Sequence, residues 1–288
     1  MNPASIDRRQ FLQAGLIATT LAAAGRLPLL GAGTRGRSGI DASTKPYAIK
    51  PIRGYLQRFS PSDSDRALRK KSDYGLTYDI IHWGGANQRT GISTNSVIGQ
   101  ISINRKAARG TVLYDVTQRT RIGGVENCIK AQITTDNGNS LRKWTFRSYH
   151  VGSNGVTDPL SKITETGDVK NGYIEINNGK CRYGYAATQP LMTQWTLPNL
   201  LMWEGSPKLN VTFDLLQDLS LFKANQVLRY DGEIQLNARG GQALTLQTYA
   251  QVGEGILPIH YLCDSEGYPQ LITSSILSWA LAASKQDA

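Results

Sequence analysis

Residues whose side chains could bind a ligand or take part in catalysis lie in two short clusters. The first, residues 80–85, places a His-Trp pair directly before two glycines, and the second, residues 249–264, holds a glutamate between two glycines and a His-Tyr pair. Glycines beside a strand let a ligand, or another stretch of backbone, approach closely. The candidate ligand-lining residues are therefore His82, Trp83, Glu254, His260 and Tyr261. The alternative is that both clusters only turn a corner of the chain.

Motifs for catalysis or cofactor binding are missing from the sequence. There is no Gly-x-Gly-x-x-Gly after a predicted strand, no phosphate-binding Gly-x-x-x-x-Gly-Lys-Ser/Thr, no Cys-x-x-Cys and no Gly-x-Ser-x-Gly. The three histidines, His82, His150 and His260, are far apart in sequence and beside separate predicted strands. Only convergence in the fold could make them a metal site. We therefore assign no catalytic or metal-binding residue and expect no cofactor.

The cysteines leave three interpretations open. Cys128, Cys181 and Cys263 leave an odd thiol whichever two might pair. A buried free cysteine behaves as a small apolar residue, and we favour three structural thiols. One disulfide between strands and a nucleophilic thiol are the alternatives.

The N-terminus resembles a twin-arginine signal peptide. Arg8 and Arg9 are followed by Phe11 and Leu12, and then by an uncharged run, residues 14–25. A run of about a dozen residues is shorter than the roughly 20 that span a bilayer as a helix, which favours a cleaved signal, residues 1–24, over an anchor. The resemblance implies a periplasmic or secreted protein that meets the twin-arginine translocase as a partner during export.

Positive charge is concentrated near the N-terminus. The chain has 288 residues and a net charge of +10, and residues 25–75 hold eleven Lys and Arg against four Asp. This basic Gly/Ser/Arg-rich arm is expected to be partly disordered, and it is a candidate for contact with an anionic envelope surface. The rest of the chain is almost neutral and has no nucleic-acid-binding module, so nucleic acid is not an expected partner.

From Leu76 onward the sequence alternates with the period of a β-strand. Ile129, Ala131 and Ile133 alternate with polar residues, and similar alternation occurs near residues 144, 174, 234 and 244. Four turn sequences separate these runs, at residues 136–139, 177–180, 239–242 and 264–267. The pattern predicts an antiparallel meander, with residues 76–288 forming one β-rich globular domain.

Two segments depart from the alternation. Residues 213–222 have apolar side chains at helical spacing, which predicts an amphipathic helix over the apolar face of the sheet. Residues 192–203 are apolar around Pro198, which predicts either a break or a helix that begins at Pro198. The expected fold class is mainly β, or β-rich α+β: a single antiparallel curved sheet or half-barrel meander with one or two helices on its apolar face.

This succession of strands resembles the curved half-barrels of periplasmic lipid and lipoprotein carriers and of several uncharacterised exported families. The resemblance implies an exported, non-catalytic binding or envelope-assembly protein, whose β cradle takes a lipid-like or amphipathic ligand. The alternative function is a cofactor-independent hydrolase or lyase that acts on a cell-envelope or extracellular polymer.

Overall fold

The computed structural model of the chain describes residues 52–56, 59, 61, 73–82, 95–122, 124–204, 207–237, 239, 243–274 and 277–282. The first eight strands are β1 (Tyr74–His82), β2 (Ser96–Ala108), β3 (Thr111–Ile122), β4 (Val125–Asp136), β5 (Leu141–Val151), β6 (Ile163–Lys170), β7 (Tyr173–Asn177) and β8 (Arg182–Ala186). The others are β9 (Leu191–Met192), β10 (Asn210–Gln217), β11 (Leu221–Asn237), β12 (Ala243–Val252), β13 (Ile259–Cys263), β14 (Pro269–Thr273) and β15 (Leu277–Leu281). In these parts of the chain the helices are α1 (Arg53–Leu56) and α2 (Leu197–Glu204), with a 3-10 helix at Pro159–Ser161.

All fifteen strands belong to one curved sheet. Their order is β8-β7-β6-β5-β4-β3-β2-β1-β15-β14-β13-β12-β11-β10-β9, which is two meanders joined where β1 pairs with β15. The pairs are antiparallel except for β9 and β10. The predicted fold class is therefore confirmed. The predicted turns at residues 136–139, 177–180 and 264–267 each connect two paired strands, and residues 239–242 lie between β11 and β12.

The two edge strands of the sheet are neighbours in the sequence. β8 and β9 are joined by residues 187–190, which we call the linker. The Tyr185 ring stacks on that of Phe222 with centroids 5.1 Å apart, and the hydroxyls of Tyr183 and Ser220 lie 3.3 Å apart. Side chains of edge strand β8 thus contact the hairpin of β10 and β11, next to the opposite edge of the sheet.

Asp214 of β10 fixes the linker. Its carboxylate is fully buried and accepts hydrogen bonds from the backbone N–H groups of Thr188, Gln189 and Asn225, at 2.8, 3.1 and 3.0 Å. Its own backbone N–H donates to the carbonyl of Pro190 at 3.0 Å. One side chain therefore connects β10, the linker and β11.

The concave face of the sheet holds the main apolar core. The predicted alternation is seen directly, because Ile129, Ala131 and Ile133 are buried while Lys130 and Gln132 are exposed. Rows of same-facing side chains cross the strands, and their buried members pack into one cluster. The concave face is therefore filled by its own side chains along these rows.

Helix α2 packs at one end of the sheet, which we call the helix end. Leu197, Leu200 and Leu201 of α2 are buried in the main core. The Tyr74 hydroxyl donates to Asn199 Oδ1 at 2.9 Å, at the start of β1. The prediction of a helix beginning near Pro198 is confirmed, since a proline in the first turn gives up no helical hydrogen bond. We call the opposite end of the sheet the rim. Strands β1, β3, β5 and β12 end there, and strands β2, β4, β6 and β13 begin there.

A second apolar cluster covers part of the convex face. Ile52, Tyr55, Leu56 and Phe59 are buried against outward-facing side chains of β1 and β11–β15. The Arg239 N–H donates to the Phe59 carbonyl at 2.9 Å and secures this segment. Residues that the sequence analysis placed in the basic arm thus pack on the sheet, while the boundary at residue 76 stays a prediction.

The prediction of a helix over residues 213–222 is wrong. The segment forms the end of β10, a turn and the start of β11, and Asp218 and Leu219 adopt positive φ angles of 50° and 56° in that turn. Phe213, Asp214, Leu215 and Leu216 are buried on both faces of the sheet. A fully buried strand gives a continuous apolar run, in which helical spacings occur by coincidence.

Candidate functional site

Polar side chains replace apolar ones on the concave face near the rim. The replaced positions lie on β3, β4 and β5, and we call their residues the polar patch: Gln118, Thr120, Asn127, Ser148 and His150. The register pairs Thr120 with Asn127, and Asn127 with His150. Gln118 and Ser148 lie in the next row, on either side of Ile129. All five side chains therefore share the face that carries the apolar core further along the same strands.

The burial of side chains on this face decreases from the apolar core towards the rim. Thr120 is buried, and the other four members of the polar patch are half-buried. One row nearer the helix end, Ala131 and Phe146 are buried in the apolar core. Polar side chains thus remain accessible where the packed core ends, and ligand sites in proteins commonly combine apolar walls with a few such polar groups.

Glu165 of β6 lies one row nearer the helix end than the polar patch. It pairs with Phe146 across the strands and is only 1% exposed, inside a largely apolar surrounding. The Phe146 ring stacks on Trp195 with centroids 6.5 Å apart, beside this carboxylate. The row next to the polar patch thus holds one buried carboxyl group among aromatic and apolar side chains.

Gly99 shapes the sheet next to Thr120. A side chain at Gly99 would overlap the backbone carbonyl of Arg119 on the neighbouring strand. The absence of a Cβ lets β2 and β3 approach closely at this point, as glycine does at sharp bends of a sheet. The rim end of the polar patch is therefore bounded by tightly apposed backbone.

The hydrogen bonding of the polar patch favours binding over nucleophilic chemistry. The Ser148 hydroxyl donates to Asn127 Oδ1 at 3.3 Å, whereas a nucleophilic serine donates to a base. His150 is two residues further along the same strand, and its backbone N–H donates to Ser161 Oγ at 2.8 Å. Among the residues that the structure describes, no group of three His, Cys, Asp or Glu is arranged to hold a metal ion.

The candidate residues from the sequence lie at separate places. Trp83 is outside the described residues. His82 is exposed at the rim, where it pairs with Ser96 and Leu277. Glu254 is exposed in the turn after β12, and its backbone carbonyl accepts from Gln226 Nε2 at 3.1 Å.

His260 and Tyr261 face opposite sides of β13. His260 is half-buried on the convex side, and Tyr261 is buried in the main core. The Tyr261 hydroxyl donates to Gln251 Oε1 at 3.0 Å, and burial raises its pKa well above the usual value. The structure thus does not bring the two side chains together.

The three cysteines are free. Cys128 and Cys263 are buried and Cys181 is exposed. Burial raises the pKa of both buried thiols, and the carboxylates of Glu126 and Asp264 raise them further. A raised pKa disfavours the reactive thiolate, which agrees with a structural role for these two residues.

The polar patch was missed in the sequence, although a signal for it existed. The alternation Ile129, Ala131, Ile133 marks the core-facing phase of β4, and Asn127 occupies the same phase one step earlier. On β5 the phase set by Trp144 and Phe146 continues to Ser148 and His150. A polar residue in the core phase of two neighbouring strands indicates a polar site on the buried face.

No protein-family profile matches the chain, and no curated protein matches it. Among solved structures, a beta-barrel-like protein of domain of unknown function DUF1849 from Brucella abortus is similar in shape, with 10% identity and a TM-score of 0.47. The similarity covers 74% of this chain and 96% of that one. Separately, within the described parts of the chain, no helix has the length and apolar character needed to cross a bilayer.

Proposed function

We propose that the protein is an exported, non-catalytic binding protein of the cell envelope, and that the polar patch holds the polar part of an amphipathic ligand. The observation that carries this proposal is the change along one face from a packed apolar core to accessible polar side chains. Asn127, Ser148 and His150 offer donors and acceptors within two rows of the sheet. The apolar part of the ligand contacts the half-buried side chain of Ile163, which pairs with Ser148 at the margin of the core.

Export through the twin-arginine route remains part of the proposal. Its support is the sequence of residues 1–24, in which Arg8 and Arg9 precede Phe11 and Leu12. These residues lie outside the part of the chain that the structure describes. Replacing Arg8 and Arg9 with Lys should retain the protein in the cytoplasm. Unchanged delivery to the periplasm in cell fractionation would contradict this route.

Native mass spectrometry tests the binding function. The wild-type protein, purified from the cell envelope fraction, should carry an additional small-molecule mass. Asn127→Leu should lose that mass because it removes both polar groups at the centre of the polar patch. Gln132→Leu is the matched control, since Gln132 lies on the same strand but is exposed on the convex face.

The outcomes separate binding from catalysis. Retention of the mass by Asn127→Leu and Gln132→Leu alike would place the ligand elsewhere, and absence of any bound mass in the wild type would contradict the proposal. Cleavage of a purified envelope polymer, lost in Ser148→Ala and in His150→Ala, would establish the hydrolase or lyase alternative instead.

A further inference from the structure

Exposed apolar side chains are concentrated at the rim. Among the described residues, nine large apolar side chains are exposed. Six of them lie at the rim, in the connections between strands or at strand ends: Val97, Ile122, Val125, Val156, Leu160 and Leu257. Scattered single apolar residues on a surface are normal, but their concentration at one end indicates an interaction site.

The most exposed of these side chains are held in place by local structure. Ile122 and Val125 end two paired strands and are 62% and 44% exposed. Leu160, 95% exposed, lies in the 3-10 helix, where its N–H donates to Asp158 Oδ1 at 2.9 Å. The Ser161 hydroxyl donates to the Asp158 carbonyl at 2.7 Å and closes the same turn. The backbone therefore presents these apolar groups to the surroundings.

Cationic side chains lie next to the exposed apolar residues Ile122 and Leu160. Arg119 and Arg121 precede Ile122 on the convex face of β3 and are 73% and 70% exposed, and Lys162 follows Leu160. Both arginines share a single carboxylate, Glu126, at 3.9 and 3.2 Å. Two arginines against one carboxylate leave a positive excess at the tip of β3 and β4, which complements an anionic surface, while Lys162 is offset by Asp158 beside Leu160.

We infer that the rim docks on an anionic lipid bilayer. Ile122, Val125 and Leu160 enter the headgroup region, while Arg119, Arg121 and Lys162 contact lipid phosphates. Separate loop and hairpin tips at one end of a sheet suit shallow insertion of about 5–10 Å better than the flat contact of a protein interface. This inference rests on the rim alone and stands whether or not the polar patch binds a ligand.

The docked orientation would also bring the polar patch close to the membrane. Ile122 and Val125 are the next residues on the same face beyond Thr120 and Asn127, towards the rim on β3 and β4. A ligand leaving the bilayer would therefore travel only a short distance to the concave face.

Sedimentation with vesicles tests the docking. The purified chain is mixed with phosphatidylcholine vesicles that contain or lack phosphatidylglycerol. Ile122→Asn combined with Leu160→Asn should weaken binding to the anionic vesicles by at least about tenfold. Arg121→Gln should weaken it about fivefold, and added salt should weaken wild-type binding. Leu113→Asn is the matched control, because Leu113 is an exposed apolar residue of β3 away from the rim.

A fluorescent label separates the rim from the basic arm. In a Cys181→Ser background, Ile122→Cys and Leu113→Cys are each labelled with a polarity-sensitive dye, since the two other cysteines are buried. Docking by the rim shifts the emission of the label at position 122 to the blue and leaves that at position 113 unchanged. Binding in which neither label responds would assign the membrane contact to the arm and overturn the inference.

Two further outcomes would also overturn it. One is equal binding of wild type and the Ile122→Asn, Leu160→Asn double variant. The other is a dimer in analytical ultracentrifugation that this double variant abolishes, because the rim would then be an interface between copies of the chain. Unchanged circular dichroism of each variant shows that folding is preserved.

Discussion

Gly167 is a residue at which the core excludes any side chain. It lies opposite Trp144, and a Cβ at this position would overlap the indole ring. Trp144 is only 1% exposed and is packed in the main core. We expect Gly167→Ala to lower the free energy of unfolding by about 1–3 kcal/mol, through overpacking.

Urea denaturation measures this effect. Gly138→Ala is the control, because a Cβ at Gly138 meets only Asp136 Oδ1 at 3.4 Å. Adding Trp144→Phe should recover part of the loss in Gly167→Ala, since it removes ring atoms from the site. Equal stability of Gly167→Ala and wild type would show that the ring relaxes without cost.

Asp214 determines whether the two sheet edges stay together. Asp214→Ala would leave the N–H groups of Thr188, Gln189 and Asn225 without their buried acceptor, at about 1–3 kcal/mol for each that water does not reach. We expect a large loss of stability and faster hydrogen exchange in the linker. Asp168→Ala, which breaks an exposed ion pair with Lys170, should change stability by at most about 1 kcal/mol. Slow exchange in the linker of Asp214→Ala would contradict this role.

At the scale of elements, the segment that carries Phe59 stabilises the convex face. Phe59 is 3% exposed and contacts the Tyr55 ring at a centroid distance of 6.2 Å. Phe59→Ala should cost about 3–5 kcal/mol and lower the melting temperature. Tyr173→Ala, at a half-exposed aromatic residue, should have a small effect. Calorimetry on both variants decides, and equal melting temperatures would show that this segment contributes little to the fold.

The alternation of apolar and polar residues, together with the turn sequences, predicted most of the strands. The prediction over residues 213–222 was wrong because that strand is buried on both faces. The strand around Ile129 and Ile133 was predictable because one of its faces is exposed to solvent and the other is buried. Residues 213–216 were not, because the main core and the neighbouring linker bury both faces and remove the alternation. The burial of Phe59 was not predictable either, since its charged neighbours mask a short apolar contact.

At the scale of the whole molecule, buried tyrosines predict sensitivity to alkali. Burial raises the pKa of Tyr114 and Tyr249 to about 12, and raises those of Tyr74, Tyr78 and Tyr261 as well. The unfolded chain ionises near the ordinary tyrosine value of 10.0, while the folded chain resists ionisation. Stability is therefore fully present below pH 10 and decreases as the pH rises from there towards 12.

Tyrosinate absorbance, recorded together with circular dichroism, tests this. Most of the buried tyrosines should ionise in the same pH interval in which the β-sheet signal disappears. Ionisation of all tyrosines near pH 10 with an intact sheet would contradict the burial of their hydroxyls.

The site was harder to predict than the fold. Polar residues such as Asn127 and Ser148 become informative only when the register places them on the face of the core. Chemistry-bearing residues such as His260 and Tyr261 are adjacent in sequence, and a strand sends adjacent side chains to opposite faces. Proximity along the chain therefore grouped side chains that face opposite sides of β13, whereas pairing between strands places the members of the polar patch on one face.

The pairing of β1 with β15 has a consequence for synthesis on the ribosome. Among the described strands β1 is made first and β15 last, so the two meanders join only after β15 has been synthesised. Until then β1 has an unpaired edge, and such edges attract strands of other nascent chains. Pairing over so long a sequence separation is also slow. Newly made chains should therefore depend on chaperones until β1 and β15 have paired.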